Sequence, residues 1–181
     1  MGKSKKSIVI KFLSLVLVLI LATTMANPIT VEAKVRKKTL KTLHTFSNDD
    51  PLYLDSIAYR VKPGHYRFKI KKPKNSGAYG LIRFMAPKEK DYYFTVNKVH
   101  GNKRKNYVNG YFNVLQKLME PDGYLYSERI GTSGLFASKN TGMARKTRRI
   151  GFACYQNTVM YIEFYVSGSR SSYVQFDFTI K

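Results

Sequence analysis

One cysteine, no tryptophan and three histidines are what 181 residues offer among the side chains that most often carry chemistry. A single Cys excludes an internal disulfide and any metal cluster built on thiolates. His44, His65 and His100 are scattered without ligand spacing, so neither a metal site nor a cofactor is expected. The lack of Trp argues against a dedicated sugar-stacking platform. No Gly-x-Ser-x-Gly elbow is present to expose a nucleophilic serine. Acid is scarce too, with 11 Asp and Glu against 32 Lys and Arg, a formal charge of +21. Asp49, Asp50 and Asp55 surround Pro51, but calcium needs about six to eight converging oxygens. Holding a turn is the expected role of Asp49 and Asp50.

Long apolar runs are missing as well. Lys3, Lys5, Lys6 and Lys11 precede an apolar stretch over 12–22 that only Ser14 interrupts. A membrane span needs about 20 apolar residues, so this reads as a signal peptide over 1–33. Cleavage is expected after Ala33, with Ala26 as the other small-residue site. No Cys follows the apolar stretch to take a lipid, and no Leu-Pro-x-Thr-Gly sorting signal occurs. The expectation is a secreted, extracellular product of a Gram-positive bacterium, associated with the cell wall. Residues 34–181 keep 28 basic and 10 acidic side chains, a net +18.

What is abundant is aromatic and alternating: 14 Tyr and 11 Phe, too many for a disordered polybasic chain. Over 65–71, Tyr66, Phe68 and Ile70 alternate with Arg67, Lys69 and Lys71, which sets an apolar row against a cationic one on a strand. Met160, Ile162, Phe164 and Val166 repeat the pattern, as do Val174, Phe176, Phe178 and Ile180. Further strands are predicted at 57–61, 80–86, 92–99, 108–115, 124–130, 135–138 and 149–155, separated by Pro- and Gly-bearing turns. No segment shows a clean helical period, and the nearest candidate, 114–119, runs out of a strand pattern. The predicted fold is all-β, a single antiparallel β-sandwich of jelly-roll type over 44–181. A basic, flexible arm over 34–43 is expected to precede it.

The segment from Gly80 to Lys88, the Tyr92-Tyr93-Phe94-Thr95-Val96 strand, and the alternating runs from Val159 to Val166 and Tyr173 to Lys181 resemble the bacterial pre-peptidase C-terminal domains. The likeness spans roughly residues 60–181. It implies a jelly-roll-like sandwich of a secreted protein, in a family whose domains ride beside enzymes and assist secretion, surface attachment or substrate binding.

An alternative function is enzymatic. Sortases are secreted β-barrel transpeptidases that use a His, a Cys and an Arg, and His65, Cys154 and Arg170 occur here in that order. Against this, Cys154 shares a strand face with Ile150 and Phe152 and is expected to point into apolar packing, where a thiol loses nucleophilicity.

Charge supports the main reading. Outside the arm, cations gather at Lys69 to Lys74, at Lys88 and Lys90, at Lys98 to Lys105, and at Arg145 to Arg149. A net +18 on a small fold attracts polyanions over a Debye length of about 8 Å. The expected ligand-binding residues are Lys71, Lys72, Lys74, Lys103, Arg104, Lys105, Arg145, Lys146, Arg148 and Arg149. The expected partner is an anionic cell-wall polymer or another extracellular polyanion: teichoic acid, acidic polysaccharide or nucleic acid. Tyr66, Tyr79, Tyr92, Tyr107, Tyr111, Tyr124, Tyr126 and Tyr155 interleave with these charges, and most are expected to fill the core.

Overall fold

Alternation along the chain becomes two packed sheets in the computed structural model, which describes residues 34–181 other than 46, 48, 49, 104 and 169. The expected leader with both cleavage sites lies outside the described residues, as do Asp49 and Arg104. In chain order the elements are β1 (Arg36–Thr39), α1 (Pro51–Ile57), β2 (Tyr59–Val61), β3 (Gly64–Lys71), β4 (Ala78–Met85), β5 (Lys90–His100), β6 (Asn109–Met119), β7 (Leu125–Thr132), β8 (Phe136–Ala137), β9 (Arg148–Cys154), β10 (Val159–Ser167) and β11 (Tyr173–Ile180). One sheet has the order β1-β3-β11-β5-β9 and the other β2-β4-β10-β6-β7, with β8 added beside the start of β6.

The predicted β-sandwich is therefore present, with corrections at its edges. Pairing is antiparallel through the middle of both sheets, but β1 runs parallel to β3 and β2 parallel to β4, so both sheets are mixed. The stretch expected to be a free arm instead carries β1. Its Arg36 Nη1 donates to Tyr66 Oη at 2.9 Å, and the Lys38 ammonium lies 4.8 Å from the centre of the Tyr59 ring. Residues 114–119 continue β6, where Leu118 and Met119 pair with Tyr126 and Leu125.

The strand predicted from residue 57 begins at Tyr59, because 51–57 form a helix. Asp50 is its N-cap, accepting from Leu52 N at 2.8 Å, and Pro51 enters the first turn, where a missing N–H costs nothing. The turn-holding expectation for Asp50 thus becomes helix capping. The helix buries Leu54 against Leu81, Leu115 and Tyr161 on the outer face of the six-stranded sheet. Asp55 at its end accepts from Arg83 Nε at 2.6 Å and Lys117 Nζ at 3.0 Å, so its oxygens are spent on pinning the helix.

Between the sheets the alternating aromatics meet. The Phe164 ring of β10 lies 4.9 Å from Phe176 and 5.0 Å from Phe178 of β11, centre to centre, and all three are fully buried. Each such side chain contributes roughly 1.5–3 kcal/mol by leaving water. A core this well filled fixes strand register, because a one-residue slip would turn the aromatics outward.

Candidate functional site

Register determines which loops are neighbours. Lys71 at the end of β3 pairs with Tyr173 at the start of β11, and His100 at the end of β5 pairs with Gln175. Arg148 at the start of β9 pairs with Val96, while Ala78, Val166 and Gly110 share one row across β4, β10 and β6. The loops after β3, β5, β8 and β10 therefore emerge at the same end of the sandwich. Hydrogen bonds tie them together: Lys72 N donates to Ser172 O at 2.9 Å, Asn102 Nδ2 to Ser172 Oγ at 2.7 Å, and Val108 N to Ser138 Oγ at 3.2 Å. Gly101 permits a close approach, since a Cβ there would lie 2.2 Å from Ser171 Oγ.

This end has one sign of charge. Residues 71–77, 101–108, 138–147 and 168–172 contain ten Lys or Arg and neither Asp nor Glu. The turns at the opposite end, 62–63, 86–89, 120–124 and 155–158, contain two Lys and three acids. Cations crowded without carboxylates repel one another, and an incoming polyanion relieves that repulsion.

The ten expected binding residues meet different fates. Lys71, Lys74, Lys103, Lys105 and Lys146 are exposed at this end, and their ammonium groups make no bond among the described residues. Lys72 is a correction. It is 5% exposed, and its ammonium donates to the carbonyls of Pro73 at 2.8 Å, Lys74 at 3.1 Å and Ser76 at 2.9 Å. Burial pulls its pKa below the ordinary lysine value, and it holds the loop rather than a ligand. Arg145 donates to the carbonyls of Gly142 and Ala144, and Arg148 to those of Leu135 and Met143, so both spend donors on bracing the segment before β9. Arg149 sits on the outer face of the five-stranded sheet, 3.9 Å above the Tyr93 ring.

The fold adds cations that were not among the expected ligand-binding residues. Lys139 and Arg170 are exposed in the same loops. Lys37, Arg67, Lys69 and Lys98 extend the positive surface down the outer face of the five-stranded sheet, and the alternation over 65–71 was the signal for two of them. Under this face Asp177 is 1% exposed and receives Arg67 Nε at 2.7 Å and Nη2 at 3.1 Å, with Lys98 Nζ at 3.6 Å and His65 Nε2 at 3.5 Å. Burial pushes its carboxyl up, but the Arg67 guanidinium, helped by His65 and Lys98, outweighs that and holds it below the usual aspartate range.

The sortase-like set does not assemble. His65 on β3 and Cys154 on β9 are separated by β11 and β5, roughly 14 Å at the usual strand spacing, and they face opposite sides of the sheet. Arg170 lies at the other end of the sandwich from Cys154. The thiol is 4% exposed with its pKa pushed to about 11 by burial and by the Asp91 charge. Among the described residues no three His, Cys, Asp or Glu come together as metal ligands. Of the interleaved tyrosines only Tyr66 and Tyr92 are buried. Tyr79 and Tyr111 flank Tyr165 on the outer face of the six-stranded sheet, at 5.0 and 5.2 Å between ring centres, while Tyr124 and Tyr155 are exposed. The core was filled mainly by Phe, Ile, Leu and Val, which left most of the tyrosines for outward positions where the hydroxyl meets water.

No family model matches the chain, and no curated protein does. Several solved structures are similar. The pre-peptidase C-terminal domain of a collagenase from Bacillus anthracis shares 11% identity, over 68% of this chain and 94% of that one, with a TM-score of 0.37. CorA, a surface-associated copper-binding protein of Methylomicrobium album BG8, shares 8% over 68% and 98%, with a TM-score of 0.39. A family 16 carbohydrate-binding module shares 8% over 62% and 74%, with a TM-score of 0.30. The first is of the family that the strand motifs resemble; no residue here takes a role from any of them.

Proposed function

We propose that the chain is a secreted, non-catalytic binding module that takes an anionic polymer at the loop end of the sandwich, and that this contact retains it at the anionic surface of a Gram-positive cell. The observation that carries the reading is the asymmetry of charge: ten cations and no acid in four neighbouring loops, against a mixed opposite end. Lys dominates over Arg among the exposed groups, which suits a flexible chain of point charges better than planar, bidentate recognition. No helix of the described residues is long and apolar enough to cross a membrane.

Location, not net charge, is what the test must isolate. One variant carries Lys103→Ala, Lys105→Ala and Lys146→Ala at the basic end, and a charge-matched variant carries Lys62→Ala, Lys88→Ala and Lys181→Ala at the other. Titration with soluble poly(glycerol phosphate) at several salt concentrations is expected to show the first variant losing about 2 from the slope of log K against log salt. The second keeps the parent slope. Equal losses in both variants would mean that diffuse positive charge, and no site, does the binding.

A further inference from the structure

The outer face of the five-stranded sheet contains a depression lined by Arg67, Lys98, Val99, His100, Ser138 and Gln175, next to the basic end. We propose that Arg67, Lys98, Ser138 and Gln175 form a subsite for a single phosphate group, so that the polymer taken by the loops is a phosphate polymer and not a carboxylate one. The inference rests on the polyanion reading and names the group it recognises.

A local distortion of β5 points the donors into this depression. Three residues of β11, Gln175 to Asp177, face four of β5, Asn97 to His100, so that Phe176 stands opposite both Lys98 and Val99, which is a β-bulge. Within it Lys98 takes a φ of 49°, the left-handed region that a residue with a Cβ adopts only against resistance. Bulges re-aim side chains, and backbone held in sparsely populated regions clusters at ligand-binding positions. Here the bulge brings the Lys98 ammonium to the same carboxylate that holds Arg67.

Each donor is positioned and still has capacity. The buried Asp177 takes two N–H groups of Arg67, from Nε and Nη2, which fixes the guanidinium plane and leaves its three other hydrogens unspent. Lys98 is 68% exposed, so its 3.6 Å contact to Asp177 does not consume it. His100 Nδ1 lies 3.0 Å from Gly101 O and its Nε2 3.0 Å from Gln175 Nε2. The tautomer that satisfies both protonates Nδ1 and lets Nε2 accept from the Gln175 amide, whose second hydrogen remains. Ser138 completes the set with its hydroxyl hydrogen, since its oxygen accepts from Val108 N. A guanidinium, an ammonium, an amide and a hydroxyl around one hollow match the several strong acceptor oxygens of phosphate better than the two of a carboxylate. Arg67 also borders a neighbouring depression with Lys37 and Lys69, which gives the polymer a continuous cationic path.

Lys98→Gly tests the subsite without threatening the fold, because glycine adopts positive φ freely and the ammonium is removed. Backbone amide shifts are followed by NMR while the protein without its leader is titrated with inorganic phosphate or acetate at constant ionic strength. Saturable shifts around Lys98, Ser138 and Gln175 are expected with phosphate and not with acetate, and Lys98→Gly weakens them about tenfold. The Lys103, Lys105 and Lys146 triple variant keeps the phosphate response while losing polymer affinity, which separates this inference from the reading beneath it. Poly(glycerol phosphate) is expected to displace phosphate, and vesicles of phosphatidylglycerol are not; displacement by vesicles alone would overturn the polymer as source. Equal responses to phosphate and acetate, or an unchanged Lys98→Gly, would overturn the subsite.

Discussion

Lys72 and Lys74 are two residues apart, belong to one loop, and should behave oppositely when the charge is removed. In Lys72→Met the stem is preserved while three carbonyls lose their donor. A hydrogen bond to a charged group is worth about 1.5–3 kcal/mol net. Pro73, Lys74 and Ser76 are exposed, however, so their carbonyls regain water and the loss is closer to one such bond than to three. A cost of about 2 kcal/mol follows, which for a domain of this size lowers Tm by about 4–8 °C. The salt dependence of poly(glycerol phosphate) binding stays as in the parent, because the buried ammonium meets no ligand. In Lys74→Met the side chain was exposed, so stability stays within about 0.5 kcal/mol, while the slope of log K against log salt falls by about 0.7. Calorimetric melting and binding titrations on both variants decide the matter. A Lys72→Met variant that melts like the parent and weakens polymer binding as Lys74→Met does would show that the ammonium reaches solvent and that the loop is held by something else.

Two further outcomes are expected. Glu163 is 4% exposed, and burial raises its carboxyl pKa despite the Asn113 hydrogen bond and the Arg129 charge, so the folded state binds the proton more tightly than the unfolded chain and stability falls as pH rises from about 4.3 through the raised value. Glu163→Gln should therefore raise Tm at pH 7 and leave it unchanged at pH 4; a loss at pH 7, or equal shifts at both, contradicts this account. Cys154 should resist a thiol reagent at neutral pH in the native protein and react fully in denaturant, and rapid native labelling would restore the enzymatic alternative.

Legibility in the sequence followed the density of apolar alternation. β3, β10 and β11 were readable because every second residue is large and apolar, and burial of one row is the only low-energy outcome. β1 was not, since Arg36, Lys37, Lys38 and Thr39 contain no apolar row; its order comes from pairing with β3 and from Tyr66 and Tyr59, which lie far along the chain. α1 has seven residues, too few to display a period, although Asp50 before Pro51 was a capping signal in plain view. The candidate site was legible as composition: four acid-free stretches can be read directly. Which lysines reach solvent was not, because Lys72 lies just past the end of β3, where alternation stops predicting side.

Composition and periodicity alone determined that residues 44–181 would form stacked β layers with a cationic surface, since aromatic rows must leave water and exposed lysines need not. Only the tertiary structure decided that the loops after β3, β5, β8 and β10 share one end, that Lys72 turns inward, and that a bulge in β5 brings Lys98 to the carboxylate holding Arg67. The physical reason is that these relations depend on strand order and register. Those are set by contacts between residues far apart in the chain, such as Phe164 with Phe176 and Phe178 across the core, and no local window of sequence contains both partners.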